Sequence, residues 1–178
     1  MTRLSQLVMD QGIQTVLVDA SGVLYTDDGV VPGVPETIQS LRDAGCYVIV
    51  VTNNSGHSQA MIADRLTRFG IPIDPQDVIS SGLGLSEDAQ CRQIIEGRSV
   101  FVYGRASSHG YVTMAGGQIV DEVGDSEVVV MMASLKADNQ AVYESVRAHV
   151  IATGVPVVCA NPDQYIWNQE GLYKVCGY

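Results

Sequence analysis

Short runs of apolar residues along the chain stop abruptly at polar ones, and the stretches between them carry the three-to-four-residue spacing of helices. Leu4 to Gln11 reads as a helix, and Thr15-Val16-Leu17-Val18 is a mostly β-branched run that halts at Asp19. Gly22 to Gly33 is rich in Gly, Asp and Pro around an alternating Val23-Leu24-Tyr25, the signature of a turn or small hairpin. Pro35 to Ala44 is a second helix, with proline in its first turn and Gly45 past its end. Tyr47 to Val51 is continuously apolar, as in a strand covered on both faces, and gives way to Thr52-Asn53-Asn54-Ser55. A helix from Ser58 to Phe69, closed by Gly70, completes a strand-helix-strand-helix order. That order predicts a parallel sheet with ligands beyond the carboxyl ends of its strands.

The pattern restarts after Ser80-Ser81-Gly82. A helix is expected over Leu85 to Ile95 and a strand over Ser99 to Tyr103, followed by a less regular stretch to Gly116-Gly117. A buried strand Glu127 to Met132, a helix Asp138 to Thr153 and a strand Val155 to Ala160 then follow. The expected division is residues 1–81 and 82–178, the second part a separate α/β unit running to about Asp163.

Composition narrows the chemistry. Of 178 residues, 46% are hydrophobic and 17% charged, which calls for a packed fold. Twenty acidic against ten basic residues give a formal charge of −10, so nucleic acid and anionic membrane surfaces are repelled. Any anion site must rest on a few local donors or a bound cation. No apolar run reaches the roughly 18 residues of a membrane span, and the N-terminus has no signal-peptide core, so a cytoplasmic protein is expected. Cys46, Cys91, Cys159 and Cys176 form no close pair, the pattern of reduced thiols.

Asp19 is the sharpest candidate, because a carboxylate directly after apolar strand residues is costly unless it faces a cleft, a cation or donors; the alternative is a cap or turn residue. Ala20, Ser21 and Gly22 allow a tight turn there. Thr52 and Asn53 offer hydroxyl, amide and backbone donors for a phosphate-sized anion, though Asn53-Asn54-Ser55-Gly56 is equally good as a turn. His57 reads as a solvated loop residue, with contact to substrate as the alternative, and Tyr165 and Trp167 as packing residues or pocket lining. Gly82 and Gly84 lack the Gly-Lys of a nucleotide phosphate loop, and no dinucleotide glycine fingerprint follows the first strand.

Val16 to Tyr25 resembles the first motif, DxDGV, of the haloacid dehalogenase-type phosphohydrolases. Val51-Thr52-Asn53-Asn54-Ser55 resembles their second motif, and Asn161-Pro162-Asp163 the NPD signature of the NagD and nitrophenylphosphatase branch. The resemblance implies a Rossmann-like parallel core with an α/β cap and an aspartyl-phosphate mechanism on a small phosphorylated metabolite. It makes Asp19 the nucleophile and gives Mg2+ the Asp19 carboxylate and the Ser21 carbonyl as ligands. It also makes Thr52, Asn53 and Asn54 phosphate-side contacts and puts Asn161, Pro162 and Asp163 near the substrate channel. Association of copies through the cap is a further expectation.

Two departures from the family pattern matter. Ser21 stands where the family has its general-acid aspartate, and acid–base help is worth about 10²–10⁴ in rate, so slow turnover is expected. The family's later lysine and acidic GDxxxTD-like motif are not found; Lys136 and Lys174 lie in other contexts. The sheet is therefore expected to be incomplete, the chain being an N-terminal portion of a longer protein or one needing a partner over its first strand. The competing expectation is a catalytically defective relative that binds a phosphorylated ligand or a protein.

Overall fold

The computed structural model describes residues 4–133, 140–163, 165–168 and 171–174, the last two segments as backbone strands. Two compact units emerge: residues 1–52 with 59–79, and residues 53–58 with 80–178.

The first unit opens with helix α1 (Leu4–Asp10) and strand β1 (Thr15–Asp19). A small antiparallel hairpin follows, β2 (Tyr25–Thr26) with β3 (Gly29–Val30). Helix α2 (Val34–Asp43), strand β4 (Tyr47–Thr52), helix α3 (Gln59–Arg68) and strand β5 (Val78–Ser80) come next. The sheet order is β1-β4-β5, and β1 and β4 are parallel, with Val16 opposite Val48 and Asp19 opposite Val51. One face is packed: Val16, Val18, Val48 and Val50 meet Ile38 and Leu41 of α2 and Ile62 and Leu66 of α3. The other face is open among the described residues, with Leu17 64%, Tyr47 50%, Ile79 45% and Val51 36% exposed. The apolar run of β4 therefore alternates in burial instead of being covered on both sides, because the helices of this unit share a single core cluster.

The second unit contains α4 (Gly84–Glu87), α5 (Ala89–Ile95), β6 (Ser99–Tyr103), α6 (His109–Met114), β7 (Gln118–Val120), β8 (Val128–Met131), α7 (Gln140–Thr153) and β9 (Val157–Cys159). Its sheet has the order β7-β6-β8-β9 and is parallel throughout. Val100, Val128, Val130 and Val158 pack with Leu85, Ile95 and Val112 on one side, while Tyr103 and Val129 meet Val146 of α7 on the other. Val128, Val129 and Val130 are fully buried, so here the continuous apolar run is covered on both faces.

Three expectations change. The helix expected over Leu85 to Ile95 is two helices, because the Asp88 carboxylate accepts the backbone N–H groups of Gln90 and Cys91 and starts α5 afresh. The irregular stretch before Gly116 holds α6, with β7 just beyond it. At six and three residues, both are too short to repeat their period twice. A final antiparallel pair, β10 (Tyr165–Asn168) and β11 (Gly171–Lys174), was not visible in the pattern. Helix α7 is described from Gln140, so the expected start at Asp138 lies outside the described residues, as does Cys176. Cys46 and Cys91 are free thiols.

Candidate active site

In the first unit the carboxyl edge is built by β1 and β4 side by side. Asp19 ends β1 opposite Val51, so Thr52 stands one residue further along the neighbouring strand. Asp19 is exposed, and among the described residues its carboxylate takes part in no hydrogen bond or ion pair. Thr52 is 5% exposed.

Beyond Asp19 the chain turns tightly. The Ala20 carbonyl accepts from Leu24 N–H at 2.9 Å and Tyr25 N–H at 3.2 Å, and Gly22 N–H donates to the Tyr25 carbonyl at 2.7 Å. These bonds consume the Ala20 carbonyl and leave the Ser21 carbonyl unbonded among the described residues. Ser21 is exposed. One carboxylate and one carbonyl oxygen suit a hard cation that keeps several of its waters. Among the described residues no group of three or more His, Cys, Asp or Glu side chains gathers into a closed metal cage.

In the second unit the segment Asn53 to Ser58 is held by side chains from distant parts of the chain. The Asn53 carbonyl accepts three donors: Ser55 N–H at 2.9 Å, Ser81 Oγ–H at 3.0 Å and the Asn161 amide at 3.0 Å. Asn53 Nδ2 in turn lies 3.4 Å from Asp163 Oδ1. The Asn54 side-chain oxygen accepts Gly56 N–H and lies 3.1 Å from His57 Nδ1, so His57 is a half-buried, bonded residue and not a solvated one. Ser55 is fully buried and its Oγ accepts from Ala133 N–H at 2.8 Å. Ser107 Oγ donates to the Gly56 carbonyl at 2.6 Å, and Tyr111 OH to the His57 carbonyl at 2.9 Å. A side chain on Gly56 would stand 3.0 Å from the Ala133 carbonyl, so glycine permits this close approach.

Asn161 is 5% exposed, and its amide is engaged at both ends: Nδ2 on the Asn53 carbonyl, Oδ1 on the Asp163 N–H at 2.9 Å. Pro162 is exposed. The sequence reading missed Ser55, Ser81, Ser107 and Tyr111, since isolated serines and one tyrosine at separations of 28 to 78 residues carry no local signal. Lys136 lies outside the described residues, and for Lys174, Tyr165 and Trp167 the described part is the strand backbone.

Fold and site define a parallel-sheet α/β protein whose first strand presents a bare carboxylate at its carboxyl end. Residues 16–118, more than half of the chain, match the family model described as haloacid dehalogenase-like hydrolase, and the chain belongs to that family. Within it the chain is similar to the NagD branch. It is 27% identical to the ribonucleotide monophosphatase NagD of Escherichia coli K12 over 165 residues, 93% of this chain and 62% of that protein. The glycerol-3-phosphate phosphatase of Mus musculus is 37% identical over 81 residues, 44% of this chain and 24% of that protein. Among solved structures, a glycerol phosphate phosphatase of Mycobacterium tuberculosis in complex with calcium superposes with a TM-score of 0.78 at 24% identity, covering 95% of this chain and 49% of that one. The chain spans about 60% of the length of curated relatives that it matches along most of its own length. No helix among the described residues is long and apolar enough to cross a membrane.

Proposed function

We propose that the protein is a magnesium-dependent phosphohydrolase acting on a small phosphomonoester, with Asp19 as its nucleophile. The observation that carries this is the Asp19 carboxylate, exposed at the carboxyl end of β1 beside Thr52 and without a partner among the described residues. The relatives support the substrate class by their names: a ribonucleotide monophosphatase, a glycerol-3-phosphate phosphatase and an acid sugar phosphatase of Staphylococcus aureus.

In the first step an Asp19 oxygen attacks phosphorus, an O–P bond forms, and the ester P–O bond breaks to release the alcohol oxygen. Ser21 has no carboxyl proton to give, so that oxygen takes its proton from water. Water then attacks phosphorus of the acyl phosphate, releasing inorganic phosphate and restoring the carboxylate, with one proton lost to solvent. The Thr52 hydroxyl serves as a donor to a phosphoryl oxygen. The Asp19 carboxylate and the Ser21 carbonyl would hold magnesium, which would supply neutralisation of negative charge at the site.

Ser21 itself favours a second reading, a relative that binds a phosphorylated ligand without turning it over. Full-length protein assayed on a panel of phosphomonoesters separates the two. Magnesium with beryllium fluoride is expected to raise its melting temperature, and Asp19→Asn to abolish both the rise and the turnover. A shift that survives Asp19→Asn removes Asp19 from the nucleophile's role.

A further inference from the structure

The second unit has the architecture that ordinarily binds ligands, a parallel sheet whose strand order reverses direction between β6 and β8. Ligands of such sheets lie beyond the carboxyl ends of the strands at that reversal. Here the loops after β6 and β8 supply Ser107 and Ala133, and both are bonded to the chain's own Gly56 and Ser55. Asn161, beyond β9, holds Asn53. Ser55 and Gly56 are buried there. The ligand position of this sheet is filled by the segment that continues directly from Thr52.

We infer that the second unit is a clamp on this segment and that Asn161, with Ser81, is a positioning residue acting through the Asn53 carbonyl and not a substrate ligand. A carbonyl oxygen has two lone pairs, and this one accepts three donors, two of them from residues 28 and 108 positions away. The peptide is planar and trans, so directing its carbonyl at Ser81 and Asn161 directs the Asn54 N–H the opposite way. Thr52 is bound into the β1–β4 sheet as the last residue of β4, and a single peptide bond joins it to Asn53. A residue that holds the Asn53 carbonyl therefore acts one residue away from Thr52, and small displacements of a phosphate-binding residue are costly in rate. Each end of the Asn161 amide is already engaged within the chain, and at 5% exposure its remaining N–H and lone pair are shielded from solvent.

The inference rests on the phosphohydrolase reading for its kinetic arm, and a second arm is independent of it. In full-length protein, Asn161→Ala and Ser81→Ala are each expected to lower kcat about tenfold, the effect of one charge-free hydrogen bond fully expressed in the transition state. The loss should be the same for nitrophenyl phosphate and for larger phosphomonoesters, with KM nearly unchanged. Because both donors share one acceptor, the double variant should lose less than the product of the two. In the second arm, amide hydrogen exchange at Ser55, whose N–H is bonded to the same carbonyl, should accelerate in Asn161→Ala. A loss that varies with the leaving group, or unchanged Ser55 exchange, overturns the inference. Absence of any wild-type turnover refutes the phosphohydrolase reading instead, and the exchange measurement then decides the clamp.

Discussion

Tyr111→Phe removes one oxygen atom from the interior of the second unit and tests whether its polar network is as tightly paired as the distances indicate. The ring is 3% exposed and lies where a side chain on Gly82 would fall 2.5 Å from its carbons, so phenylalanine keeps the packing. The hydroxyl accepts from Ser80 Oγ at 2.7 Å and donates to the His57 carbonyl at 2.9 Å. Ser80 is 2% exposed, so after the substitution its hydroxyl loses this acceptor in a place water does not readily reach. Two lost bonds, each worth about 1 kcal/mol net, predict a loss of about 2 kcal/mol. For a chain of this size that is a fall of roughly 4–8 °C in Tm. Thermal unfolding followed by circular dichroism, paired with denaturant unfolding, measures it. Adding Ser80→Ala to Tyr111→Phe should cost little more, because both partners of that bond are then gone. A Tyr111→Phe loss below about 0.5 kcal/mol, or strict additivity of the two changes, would refute the reasoning.

Gly82→Ala sets a new methyl group against the Tyr111 ring, and it should destabilise the second unit while lowering protection of the His57 region in hydrogen exchange. Asp88 accepts the N–H of Cys91 and that of Gln90, which holds its carboxyl below the usual carboxylate range. Its folded pKa lies below the unfolded value of about 3.9, so its contribution to the α5 terminus is complete above that pH and is lost as pH falls through the folded value. Asp88→Ala should therefore weaken helical signal at neutral pH and flatten the acid limb of the stability profile. Ser21→Asp should raise nitrophenyl phosphate turnover in full-length protein, by up to about 10²-fold if the carboxyl reaches the leaving oxygen; no gain argues for the ligand-binding reading. Leu17→Lys places a charge on the open face of the first sheet, where Leu17 is 64% exposed, and should increase the solubility of this chain; unchanged solubility means that face is not what limits it.

The strands that carry the candidate site were legible because their signal is local. Three apolar residues ending at Asp19, and five ending at Thr52, state both the element and its carboxyl end, and β1 and β4 fall within a residue of those limits. The pairing of a carboxylate with a threonine at adjacent strand ends follows once the sheet is parallel. Two things were not legible. Whether an apolar run is covered on one face or two depends on which helices pack against it: β4 and β8 read alike in sequence, and one is half open where the other is enclosed. The destination of Asn53 to Ser58 was equally hidden. As a string it is a turn beside an anion site, and its partners Ser81, Ser107, Tyr111 and Asn161 come together only when the second sheet has formed. Periodicity records which face of an element meets the core, whereas a hydrogen bond across 108 residues is set by where the chain returns, which no local pattern encodes.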